Sequence, residues 1–241
     1  MLKYLSIYNY HGGGTRGIKR CLDTFKEVDF FDLKRFGINT RENLRKNYPN
    51  VNYMFYAPVY SSVSEQMIYL SHEHWASAIR YSNYDAKSIF VDLGCGSGKT
   101  LIQSIESKRF DGIYGVEIIP MLVNRGRNNV KKRLKQNKSK SIEIFENNVE
   151  DLKWLNSLTE KLGDVSNTTF FLFNKNSYGK DSINISLDIV ESKFNSIIYL
   201  YQNPVHSTLL EKRGYEMFAN DSKSSTANRN YKFKLFSKLL G

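Results

Sequence analysis

The chain has 241 residues, 35 Lys+Arg against 24 Asp+Glu for a formal charge of +11, and 41% apolar and 14% aromatic residues. That is long enough for one domain with a sizeable core plus a modest extension, and too apolar for a disordered polar chain. Two cysteines, Cys21 and Cys95, are too few for a disulfide framework or a cysteine-based zinc site; no window reaches the ~20 apolar residues of a membrane span, and MLKYLSIYNYHGGG lacks a signal-peptide core, so a cytoplasmic protein is expected. The positive balance favours an anionic contact, although a Lys-rich proteome produces the same balance.

Residues 1–63 read as an extension of short helices and loops over the main domain, 64–241. Gly12, Gly13 and Gly14 follow no strand and are read as an ordinary loop. Asn52 to Ser62 is an aromatic extended segment in which Tyr56 and Tyr60 could stack on a flat ligand or simply pack. Ser62 and Glu65 have capping-box spacing, and the apolar positions after them predict a helix to about Tyr81. His72 and His74 on it are two residues apart, not the four a metal pair needs on one helix, so no metal site is expected.

From Ser88 onward strands and helices alternate. Strands are predicted at 89–91, 112–117, 142–145, 168–173 and 196–201, and helices at about 99–108, 121–138, 154–162, 181–193 and 205–212. Two more polar-spaced strands, 215–220 and 231–237, follow, and the loop 221–230 makes them an antiparallel hairpin at the sheet edge. The continuous apolar runs and βαβ spacing predict an α/β fold: a doubly wound, mostly parallel seven-stranded sheet with an antiparallel C-terminal hairpin. Helix 121–138 carries Arg125, Arg127, Lys131, Lys132, Arg133, Lys135 and Lys138, which is either a solvated face or a polyanion contact.

The stretch SIFVDLGCGSGKT, residues 88–100, is a strand turning through glycines into a helix. Such an elbow is expected to aim backbone N–H groups at a polar or anionic ligand. A phosphate loop, G-x-x-x-x-G-K-[ST], needs glycine where Leu93 stands. A dinucleotide turn, G-x-G-x-x-G, needs one where Lys99 stands. The remaining pattern is an acid, Asp92, followed by Gly94, Gly96 and Gly98, with a second acid, Glu117, at the end of the next strand.

That pattern resembles the first motif of the seven-strand, Rossmann-like S-adenosylmethionine-dependent methyltransferases, over about residues 64–238. The stretch from Val91 to Pro120 is most similar to bacterial members of unassigned substrate, and somewhat similar to the seven-strand histone-lysine methyltransferases. The resemblance implies S-adenosylmethionine as cofactor, with Asp92, Gly94, Gly96 and Gly98 at its methionine and ribose, Glu117 on the ribose hydroxyls and Asn148 at the adenine; Tyr56 is a candidate pocket wall counted with the cofactor-binding residues. It also implies a substrate-facing turn after the fourth strand, with Asn174 as acceptor for the nucleophile and Tyr178 as a pocket wall. Here that turn is Asn174-Lys175-Asn176-Ser177-Tyr178, without the proline of an N-P-P-[YF] clamp, which makes base N-methylation less expected.

The implied activity is transfer of a methyl group to an N or O nucleophile of an unidentified acceptor: protein, nucleic acid or small molecule. His206 is a candidate base for a hydroxyl acceptor or a plain helix-start residue. The alternative is a nucleic-acid- or protein-binding module that keeps the fold without turnover.

Overall fold

A computed structural model describes residues 86–107, 110–134, 141–174, 178–202, 204–220 and 233–240. All lie in the second of the two units, Met1–Tyr60 and Ser61–Gly241, into which the chain divides. The elements are β1 (Lys87–Leu93), α1 (Lys99–Ser107), β2 (Gly112–Glu117), α2 (Pro120–Leu134), β3 (Ser141–Glu146), α3 (Leu152–Leu162), β4 (Thr168–Asn174), α4 (Lys180–Glu191), β5 (Ser196–Gln202), α5 (Ser207–Lys212), β6 (Glu216–Asn220) and β7 (Phe233–Leu239). They match the expected elements to within a few residues; residues 135–140, the expected end of the basic helix, lie outside the described residues.

The strands form one seven-stranded sheet in the order β3-β2-β1-β4-β5-β7-β6. β1 to β5 pair parallel, and β7 pairs antiparallel with both β5 and β6. This is the mostly parallel sheet with a C-terminal hairpin that the sequence predicts. The hairpin is placed more specifically: its second strand inserts between β5 and β6, so β6 forms the edge. Leu235 and Phe236 of β7 are buried, and such side chains drive the insertion because an edge position would leave them half wet.

The central strands are apolar on both sides because helices cover both. One face joins Ile89, Val91 and Leu93 of β1 to Trp154, Leu155 and Leu158 of α3 and to Ile183, Leu187 and Val190 of α4. On the other face α1 and α2 pack over β1, β2 and β3. There Phe90 stacks near Phe110 (ring centroids 5.0 Å apart) and Phe173 (6.2 Å). Each such ring contributes about 1.5–3 kcal/mol by burial.

Strand alternation places Asp92, two residues beyond Phe90, and Glu117, two beyond Gly115, on the α1–α2 face at the carboxyl ends of adjacent strands. A parallel sheet opens its ligand crevice at those ends. Gly115 makes room there: a Cβ on it would lie 2.8 Å from Cys95 Cβ and 3.0 Å from Leu101 Cδ1. Gly115→Ala is therefore expected to destabilise the fold by about 1–3 kcal/mol through overpacking, read as a lower midpoint in urea unfolding.

Candidate cofactor site

The β1–α1 turn is built on left-handed backbone. Gly94, Gly96 and Gly98 have φ of +79°, +53° and +79°, which side-chain-bearing residues adopt only with strain. The expected role of its N–H groups is corrected by where they go. The N–H groups of Gly94 and Cys95 both donate to Val116 O, at 2.8 and 3.0 Å, and that of Gly98 donates to Cys95 O at 2.9 Å. The Gly96 N–H donates to Glu117 Oε2 at 3.0 Å. Four donors that a phosphate nest would present outward are thus used inside the protein.

Glu117 is the hinge of this arrangement. Its Oε1 accepts from the Ile119 N–H at 2.9 Å while Oε2 holds Gly96, and its main-chain carbonyl accepts from the Asn147 N–H at 3.0 Å. Burial raises its carboxyl above the ordinary glutamate value, opposed by the N–H groups of Ile119 and Gly96. The Ile118 N–H adds to the same opposing effect.

Asp92 is buried beside it and accepts a hydrogen bond from Thr100 Oγ1. The Gly-Lys-Thr ending that imitates a phosphate loop therefore serves another purpose, because Thr100 reaches back across the turn to the acid that precedes it. Lys99, also buried, is the first residue of α1. The Cys95 thiol is pushed well above its usual range by burial and then by the charges of Asp92 and Glu117, so the thiolate required for nucleophilic chemistry is suppressed.

α2 holds the turn from outside. Asn129 Nδ2 donates to Ser97 O at 3.0 Å, and Gly126 brings the helix backbone so close that a Cβ there would lie 3.2 Å from Gly96 O. Neither residue stands out in the sequence, where Asn129 is simply one polar residue within a basic helix.

The residues expected on the acceptor side fall as follows. Asn174, at the end of β4, is buried, and its Nδ2 donates to Tyr199 Oη at 2.8 Å. Its Oδ1 has no hydrogen-bond partner among the described residues. Burial raises the Tyr199 hydroxyl far above the usual tyrosine range, so it stays protonated. Tyr178 crosses to the glycine turn: its hydroxyl lies against Gly94 where a Cβ would stand. The β4 turn and the glycine turn are therefore in contact.

Asn148 is exposed after β3, its Oδ1 accepting from the Glu150 N–H at 3.1 Å. His206 caps α5, and its N–H donates to Tyr201 Oη at 3.3 Å. Tyr56, Tyr60, His72, His74, Cys21 and Gly12 to Gly14 lie outside the described residues. Among the described residues no group of three or more His, Cys, Asp or Glu is placed to hold a metal, and no helix is long and apolar enough to cross a membrane.

No family model and no curated protein matches the chain. Its fold is similar to solved structures of the methyltransferase domain of bacterial CtHen1 (14% identity, 73% of this chain and 99% of that one, TM-score 0.49). It is similar to magnesium protoporphyrin IX methyltransferase from Synechocystis PCC 6803, solved with bound SAM (13%, 92% and 97%, TM-score 0.49). An rRNA methylase from Streptococcus thermophilus is also similar (12%, 69% and 95%, TM-score 0.45).

Two outcomes are expected at this site. Thr100→Val leaves the buried Asp92 carboxylate without its hydroxyl donor and lowers stability by about 1–3 kcal/mol, while Thr100→Ser keeps most of it; equal unfolding midpoints for the two variants contradict the bond. In the native protein Cys95 resists iodoacetamide at neutral pH and reacts only on unfolding, as followed by mass spectrometry of its peptide.

Proposed function

We propose that the protein is an S-adenosylmethionine-dependent methyltransferase acting on an N or O nucleophile. The observation that carries this reading is the use of the turn's N–H groups within the protein, beside two buried carboxylates at adjacent strand tips. A phosphate finds few donors there and two repelling charges. A ligand with an ammonium group, a sulfonium and a ribose diol finds acceptors.

In this reading Asp92 helps order the ammonium group, Glu117 accepts the ribose hydroxyls, and Gly94, Gly96 and Gly98 admit close backbone approach. Asn148 serves the adenine edge. When bound, the cofactor supplies an electrophilic methyl group. The chain supplies orientation and exclusion of water: Asn174 Oδ1 accepts a hydrogen bond from the attacking N–H or O–H, and Tyr178 spans the gap between Asn174 and the turn. A neutral amine needs no general base, since its proton leaves to water after transfer.

Calorimetry with S-adenosylmethionine, NAD and ATP tests the cofactor. Binding of the first alone is expected, with Glu117→Ala weakening it about 10- to 100-fold for a lost charged hydrogen-bond pair; binding of NAD or ATP instead overturns the reading. Because Glu117 titrates above the ordinary glutamate value, acidification removes an acceptor early. Affinity is expected to fall as pH drops through that raised value, and a Glu117→Gln variant to lose this pH dependence. Labelled-methyl transfer into fractionated cell extract separates an enzyme from a module that binds without turnover.

A further inference from the structure

We infer that the exposed face of α2 is a binding surface for the sugar-phosphate backbone of a nucleic acid. The helix, PMLVNRGRNNVKKRL, has five cations and no acid. Its inward face is Leu122, Val123, Gly126, Asn129 and Val130, all buried. Its outward face is Asn124, Arg127, Asn128, Lys131 and Lys132, all exposed, at the i, i+3, i+4, i+7, i+8 spacing of one helix side. Each residue of this stripe is a hydrogen-bond donor, and the stripe runs about 12 Å along the axis.

A solvated helix with a favourable dipole explains Lys131 and Lys132, which with Arg133 occupy the last turn. It does not explain the asparagines between the cations. Arg127 is also held in place: one Nη donates to Ile144 O of β3 at 2.9 Å, so its planar fork is presented with little ordering left to do. Phosphate and sugar oxygens are met by Arg, Lys and Asn donors of this kind. An anionic membrane is a poorer fit, because surface-binding helices insert an apolar face and that of α2 is already committed to the core.

The placement ties the stripe to the cofactor site. α2 begins three residues after Glu117, and its opposite face grips the glycine turn through Asn129 and Gly126. A nucleic acid lying on the stripe passes beside the carboxyl ends of the strands. The inference stands apart from the methyl-transfer reading, because binding is measured without cofactor and without turnover.

The test is fluorescence anisotropy of the full chain with a labelled single-stranded RNA of about 20 nucleotides, across about 50–200 mM salt. Binding is expected with a log–log salt slope of at least about −2, from three phosphate contacts at about 0.7 each. Lys131→Gln/Lys132→Gln is expected to weaken binding and to make the slope shallower by about 1.4. Lys180→Gln/Lys212→Gln, two exposed lysines elsewhere, is the charge-matched control and is expected to bind as the wild type does. Thermal melts confirm that both variants are folded. Absence of RNA binding at low salt, an equal loss in both double variants, or equal affinity for phosphatidylserine vesicles overturns the inference.

Discussion

The contact between the Glu117 carboxylate and the Gly96 N–H is the constraint on which the site depends. It joins the tip of β2 to the β1–α1 turn, spends the donor at the centre of the glycine run, and fixes a negative group where a phosphate-binding loop would present a positive one. With the Gly94 and Cys95 N–H groups on Val116 O, it makes the turn an internal brace of the sheet. The left-handed glycines allow the chain to double back tightly enough for these bonds to close. The result places two buried carboxylates at adjacent strand tips.

Three other elements converge on that brace. Thr100 of α1 bonds Asp92, α2 leans on the turn through Gly126 and Asn129, and Tyr178 beyond β4 touches Gly94. Most of these contacts join segments far apart in the chain, so the turn is rigid from several directions. Asn174, at the tip of the neighbouring strand, is fixed in the same way by its bond to Tyr199.

α2 shows how one helix serves two surfaces. Small and apolar side chains face the turn and the sheet, and donors alone face outward. Gly126 and Asn129 dock the helix closely on the glycine turn. Ion pairs form where Arg213 meets Asp188 and Glu191, and Lys238 also meets Glu191. Those pairs staple α4 to the end of α5 and to β7.

The strand–helix alternation, the acid-ended strands and the register of Asp92, Gly94, Gly96 and Gly98 were legible in the sequence, because burial on both faces and a left-handed turn each demand particular residue types locally. The sheet's outer order was only partly so: two terminal strands joined by a loop form a hairpin, but which of them pairs with β5 depends on how many buried side chains each carries. The direction of the turn's N–H groups was misread from sequence, since an elbow rich in glycine looks the same whether its donors face a ligand or a neighbouring strand. Thr100, Asn129, Gly126 and Tyr178 acquire their roles only through packing in three dimensions, which no spacing rule encodes. Local residue choice set the type of fold and where its crevice opens. That the crevice presents acceptors is a property of the folded sheet, which alone brings Glu117 against Gly96.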